Sequence, residues 1–345
     1  MPRDVVNFRV AFFASLIIVL ILVGALGFLL AEPNEKTVTA TSTVISTSRT
    51  LVPELSNVTI AETVDTYLGT GPVAMAQQQK MFSSVGLTTN LITTPNALQA
   101  LEAGQVQFAI SPPAFAADAE GGDIISVGTL LPTYPAAIIA KPNITSLNQL
   151  DGKPLGCLTA GQLLCITDEL LIRSQNWTDT PGLVEPLGTS SALEAAFENG
   201  EVQGFVFDWA VAVQLQQQGE ANILGSVSQF VPAWYAGTIV TTTQFASTHP
   251  NTVKVFLASI YQAQLWITQN PNATEDWLMN KYHYTPLAAQ TVYNNTEFSL
   301  TGAMDSSVVK FMYNETASAL GLPSMNWQST FTNQYLPSIT YVASA

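Results

Sequence analysis

The 22 residues from Val10 to Ala31 contain no charged side chain, and this run constrains the chain more than any other feature. As a helix it would extend about 33 Å, the thickness of a bilayer's hydrocarbon core. Fifteen of its residues are Leu, Ile, Val or Phe, interrupted only by small residues such as Ser15, Gly24 and Gly27. Arg3 and Arg9 precede the run, while Glu32 and Glu35 follow it. Positive charge stays on the cytoplasmic side, so everything after residue 36 is expected outside. A cleaved signal peptide is the alternative, although its apolar stretch is normally 7 to 15 residues and Leu29 fits a cleavage site poorly. Both readings export the rest of the chain. Residues 1–36 are therefore expected to be a membrane anchor or an uncleaved signal. Residues 37–52, rich in Ser and Thr and without apolar period, are expected to be a stalk.

The exported part, 53–345, is long enough for two lobes. Eleven Lys and Arg against 25 Asp and Glu give a net charge of −14 and a pI near 4.3, which makes nucleic acid a poor partner. Only 10% of residues are charged, and Ser, Thr, Asn and Gln fill the polar positions, as on an extracellular surface. Cys157 and Cys165 are the only cysteines, so no cysteine-rich metal cluster can form. The pair is either a disulfide that clips a short loop or two reduced buried thiols. Sequons stand at Asn57, Asn143, Asn176, Asn272, Asn294 and Asn314, six candidate glycosylation sites where composition alone would give about four.

Apolar periodicity predicts a strand over Val58–Thr63, a helix over Pro72–Phe82 and a second strand over Thr88–Thr93. A short helix from Asn96 to Gly104 and a strand over Val106–Ile110 complete a β-α-β-α-β order, the mark of a mainly parallel sheet. LEAGQVQFAIS (Leu101–Ser111) is echoed by FENGEVQGFVF (Phe197–Phe207), each a helix end, a glycine stop and an apolar strand. Two similar α/β lobes explain the echo. Further strands are predicted over Tyr134–Ala140 and Trp234–Thr242. Helices are predicted over Val253–Thr268, Glu275–Lys281, Pro286–Asn294 and Ser306–Leu320. The division expected is lobe 1 over about 53–135 and 240–345, and lobe 2 over about 136–239.

KMFSSVGL (Lys80–Leu87), SLNQLDGKPLG (Ser146–Gly156), ASTHPNTVKVFLASIYQAQLWITQNP (Ala246–Pro271) and LPSIT near the end follow one another along the chain. Taken in that order, they resemble segments of the solute-binding proteins for aliphatic sulfonates, nitrate, bicarbonate and thiamine-precursor pyrimidines. The resemblance implies a type II periplasmic-binding-protein fold, capture of a small solute between two lobes, and delivery to the permease subunits of an ABC importer. The chain departs from the family at Gln107 and Gln203, where Asp is common, and at Phe207-Asp208-Trp209-Ala210, where the family has W-D-P.

In an open α/β sheet the ligand sits beyond the carboxyl ends of the strands. That rule selects the amides of Gly69, Thr70 and Gly71, the rim formed by Ser111 and Pro112, and the loop of Thr159, Gly161 and Gln162 before a helix. It also selects Asp208 with Trp209, and Trp234 where the lobes join, each against the plainer reading of an ordinary turn or buried structural group. These loops hold no Lys or Arg, so a neutral or cationic solute, aromatic in character, suits Asp208 and its neighbours at least as well as an anion. No catalysis, cofactor or metal is expected. A relative of the family makes a thiamine pyrimidine at a cysteine-rich, histidine-dependent iron site, and His249 and His283 are the only histidines here, on separate segments. The alternative to solute capture is a structural or sensory surface protein that reuses the fold.

Overall fold

Burial of Val58 and Ile60 on one face and of Ala61 on the other sets the first strand in the middle of a sheet. The computed structural model describes residues 51–63, 65–160, 162–178 and 182–338, which fall in one compact unit, Ile45–Ile339. The expected anchor at 10–31, the Ser/Thr-rich residues 37–50 and Gly161 lie outside the described residues. Among the described residues no helix is long and apolar enough to cross a membrane.

The chain opens with β1 (Asn57–Glu62), α1 (Gly71–Gln78), α2 (Met81–Ser84), β2 (Thr88–Thr93), α3 (Ala97–Glu102), β3 (Phe108–Ser111), α4 (Phe115–Ala119) and β4 (Ile125–Thr129). It continues with β5 (Ala137–Ala140), β6 (Leu155–Cys157), α5 (Leu163–Ser174), β7 (Val184–Pro186), α6 (Ser190–Asn199), β8 (Gly204–Phe207), α7 (Trp209–Gln218) and β9 (Asn222–Ser226). Last come β10 (Thr238–Thr241), α8 (Thr243–Thr248), α9 (Pro250–Gln269), α10 (Pro271–Tyr282), α11 (Pro286–Asn295) and α12 (Ser306–Leu320).

Two five-stranded sheets result, ordered β2-β1-β3-β10-β4 and β7-β6-β8-β5-β9. In the first, β1 pairs in parallel with β2 and β3, and β10 runs antiparallel to β3 and β4. In the second, β6 pairs in parallel with β7 and β8, and β5 runs antiparallel to β8 and β9. Each sheet carries a register shift where its antiparallel strand meets its edge neighbour, at Ile239/Val240 and at Ile138/Ile139. The chain passes between the sheets twice, after β4 and before β10. This is a two-lobed α/β fold, and the sequence echo maps onto β3 and β8, each preceded by a left-handed glycine, Gly104 (φ 70) and Gly200 (φ 78).

Several element ends differ from the sequence expectation for local reasons. The helix expected over Pro72–Phe82 breaks into α1 and α2 because Lys80 adopts φ 58, in the left-handed region. The strand expected from Tyr134 starts only at Ala137, since Pro135 lacks an N–H and restricts its predecessor. The strand expected from Trp234 starts at Thr238. Trp234 instead packs edge-on against Phe311 at 6.1 Å, and Tyr235 Oη accepts from Asp305 N at 2.7 Å, tying the return crossing to α12. The two cysteines form a disulfide that joins the end of β6 to the first turn of α5. Gln107 and Gln203 are structural: Thr59 N donates to Gln107 Oε1 at 2.8 Å, and Gln203 Nε2 donates to Gly200 O at 2.8 Å.

Candidate functional site

The carboxyl ends of β1, β3, β6 and β8 open onto one cleft between the lobes. Its larger chamber has a volume of about 1070 Å³, and a smaller one of about 240 Å³ adjoins it. Thr66, Leu68, Pro112, Tyr134, Leu163 and Ala236 border both, so the two form one space.

Glu62, the last residue of β1, borders the smaller chamber. Its Oε2 is buried and has no hydrogen-bond partner. Burial and the nearby Asp65 push its pKa well above the usual carboxylate range. Gly69 provides its seat, because a Cβ there would come within 1.8 Å of Glu62 Oε1. Asp65 behaves differently. Burial works against its charge, but the Thr70 hydroxyl and Lys281 hold its pKa below the usual value, with Lys281 Nζ at 2.9 Å and Thr70 Oγ1 and Tyr282 Oη as further partners.

Across the cleft, Asp208 is the N-cap of α7, and its Oδ1 accepts from Ala210 N at 2.7 Å. Burial raises its pKa, and the Ala210 and Val211 N–H groups moderate the rise. Phe207, Leu158, Leu163 and Leu164 form apolar wall around it. Tyr282 and Tyr284, which stack at 5.5 Å, enter from the turn between α10 and α11, and Tyr134 from the first crossing. Burial raises the pKa of all three hydroxyls, and Asp208 adds to the effect at Tyr134 and Tyr284. All three therefore remain neutral donors at physiological pH.

Of the residues expected from the sequence, Gly69, Ser111, Pro112 and Asp208 border the cleft. Thr70 is fully buried beside it, donating to Thr66 O at 2.8 Å, and Gly71 packs against the Tyr67 ring. Thr159 and Gln162 are exposed and do not line it, whereas their neighbours Leu158 and Leu163 do. Trp209 and Trp234 are core residues, 7% and 4% exposed, and neither borders the two chambers. Each indole Nε1 is buried without a partner.

Glu62, Asp65, Tyr134 and the Tyr282-His283-Tyr284 turn are site residues that sequence reasoning missed. The strand-end rule could have found Glu62. Nothing local points to Tyr282 or Tyr284, which reach the cleft through long-range packing of α11 on α7. His283 borders the larger chamber, while His249 stacks on Phe245 at 4.5 Å and pairs with Thr248, away from it. Among the described residues no group of three or more His, Cys, Asp or Glu could hold a metal ion.

Two similar α/β sheets joined by two crossings, with a cleft at their strand ends, define the class of two-lobed periplasmic-binding-type proteins. Within that class the chain belongs to the NMT1/THI5-like family, whose model matches residues 69–274. A 157-residue stretch is 30% identical to the taurine-binding periplasmic protein of Escherichia coli K12 and covers 44% of this chain and 46% of that protein, so the chain matches about half the length of this relative. The fold is similar to the alkanesulfonate-binding protein of Xanthomonas axonopodis pv. citri solved with MOPS: TM-score 0.64, 17% identity, coverage 79% of this chain and 96% of that one. It is also similar to the periplasmic aliphatic sulphonate-binding protein of Escherichia coli: TM-score 0.67, 14% identity, coverage 84% and 95%.

Proposed function

We propose that the chain captures a small solute outside the cytoplasm, in the cleft between its lobes, and delivers it to the permease subunits of an ABC importer. The observation that carries this reading is the 1070 Å³ chamber at the strand ends, of a size that encloses a small molecule. The family and the taurine-binding and sulfonate-binding relatives support it. Lobe 1 is then about 53–135 with 240–345, lobe 2 about 136–239, and the two crossings act as the hinge. Closure over the solute creates the shape that the permease recognises. In the same reading residues 10–31 anchor the chain in the membrane by one span, residues 37–52 are its stalk, and the protein binds without catalysing. The disulfide fits an oxidising exterior. Asn57, Asn143, Asn176, Asn272, Asn294 and Asn314 are all exposed, as glycan acceptors must be.

The test is a thermal-shift screen of the full chain against ethanesulfonate, nitrate, bicarbonate, an aminopyrimidine, benzylamine and amino acids, followed by small-angle scattering on any hit. A solute at 100 times its dissociation constant adds about 2.7 kcal/mol, a rise of a few degrees, and closure lowers the radius of gyration. A folded protein that no solute stabilises would favour a structural or sensory role for the fold.

A further inference from the structure

The charge lining the cleft is one-sided. Glu62, Asp65, Glu194 and Asp208 border its two chambers, and among the described residues no Lys or Arg does. The Lys281 ammonium is held by Asp65, one of these carboxylates, at 2.9 Å. A buried carboxyl without a partner is held toward its neutral form, and a cation placed beside it would restore the charge and supply the missing partner. Glu62 Oε2 is in that position: buried, unpartnered and at the cleft wall. Asp208 has one oxygen committed to Ala210 N. The same lining includes Tyr134, Phe207, Tyr282 and Tyr284, and ring faces attract cations.

An anion fits this lining badly, since it would face four carboxyl groups with only hydroxyls, amides and His283 to receive it. An inorganic cation fits no better, because among the described residues no three-carboxylate or mixed ligand cluster exists. Resting on the solute-capture reading, we propose that the cleft takes an organic cation. It would be an ammonium carried on an apolar or aromatic body, with Glu62 and Asp208 as its counter-charges and Tyr134, Tyr282 and Tyr284 as its ring-lined wall. The apolar body would rest on Leu158, Leu163 and Phe207.

The experiment measures binding of benzylamine, tetramethylammonium, ethanesulfonate and nitrate to the full chain by calorimetry. It is repeated on Glu62→Gln and on Asp208→Asn, a change that keeps a good helix cap while removing charge. Each variant's unliganded melting curve shows that it is folded. The expected result is that a cation binds, the two anions do not, and each substitution weakens the cation at least tenfold. Cation binding unchanged in both variants would overturn the assignment of Glu62 and Asp208. Binding of ethanesulfonate or nitrate in place of the cations would overturn the cationic class and leave solute capture standing. A folded chain that binds none of these four would overturn the cationic class, and one that also binds nothing in the wider solute screen would overturn solute capture with it.

Discussion

At the scale of single residues, the cleft depends on a glycine whose N–H is already used within its own loop, donating to Thr66 Oγ1 at 3.3 Å. Gly69 leaves room for the Glu62 carboxylate to lie against the loop backbone, where a methyl group would overlap Oε1. The overlapping atom is the end of a flexible side chain, so Gly69→Ala should fold with less than about 1 kcal/mol lost while swinging the carboxyl away. Its expected signature is weakened solute binding with a nearly unchanged melting temperature, read by calorimetry and thermal scan. Asp168 is the opposite case. It is fully buried in α5, and burial raises its pKa well above the ordinary value of 3.8. Such a carboxyl adds stability while protonated and loses it as pH rises, by up to about 1.4 kcal/mol per pH unit. Asp168→Asn should therefore melt higher than the parent at pH 8 and differ little at pH 4, as scanning calorimetry would show.

At the scale of elements, the disulfide fastens the N-terminal turn of α5, the turn whose Leu163 and Leu164 wall the cleft. For a sequence separation of 8 the chain-entropy estimate is about 2.5 kcal/mol. Replacing both cysteines with Ser should lower stability by about 2 to 3 kcal/mol in denaturant melts and loosen binding as well, because the wall loses its anchor. Helices and the repeated strand unit were readable because their signals are local: a 3.6-residue period in α9 and α12, and a glycine stop before β3 and β8. Strand ends were less readable. Pro135 shortens β5 and Lys80 interrupts the helix after β1 through backbone conformations that apolar period does not encode. The site divides the same way. Gly69, Ser111, Pro112 and Asp208 follow from the strand-end rule, whereas Tyr282 and Tyr284 depend on where the turn between α10 and α11 docks. Large aromatic residues mislead for a related reason, since Trp209 and Trp234 serve core packing equally well.

At the scale of the whole molecule, a few carboxyl groups of this acidic chain sit in places that favour the neutral form. Burial raises the pKa of Glu62, Asp168 and Asp208, and that of Asp118 to about 7, with Glu102 and Asp123 adding to the rise at Asp118. Raised groups stabilise the fold below their unfolded values, near 4, and this stabilisation fades as pH climbs through each folded value. Glu54 and Asp65 oppose the trend. Their lowered values make them stabilising above about pH 4 and ineffective in stronger acid. The net charge of −14 at pH 7 adds self-repulsion that grows as carboxyls ionise. These contributions together place the stability maximum in mild acid, between about pH 4 and 6, with a decline toward pH 8. A calorimetric series from pH 3 to 9 should trace this dome, and Asp118→Asn should flatten the decline between pH 5 and 8 because Asp118 titrates there. A melting temperature that rises steadily to pH 8 would mean that the buried carboxyls are charged and partnered within the protein, and Glu62 would then have no need of a cationic partner.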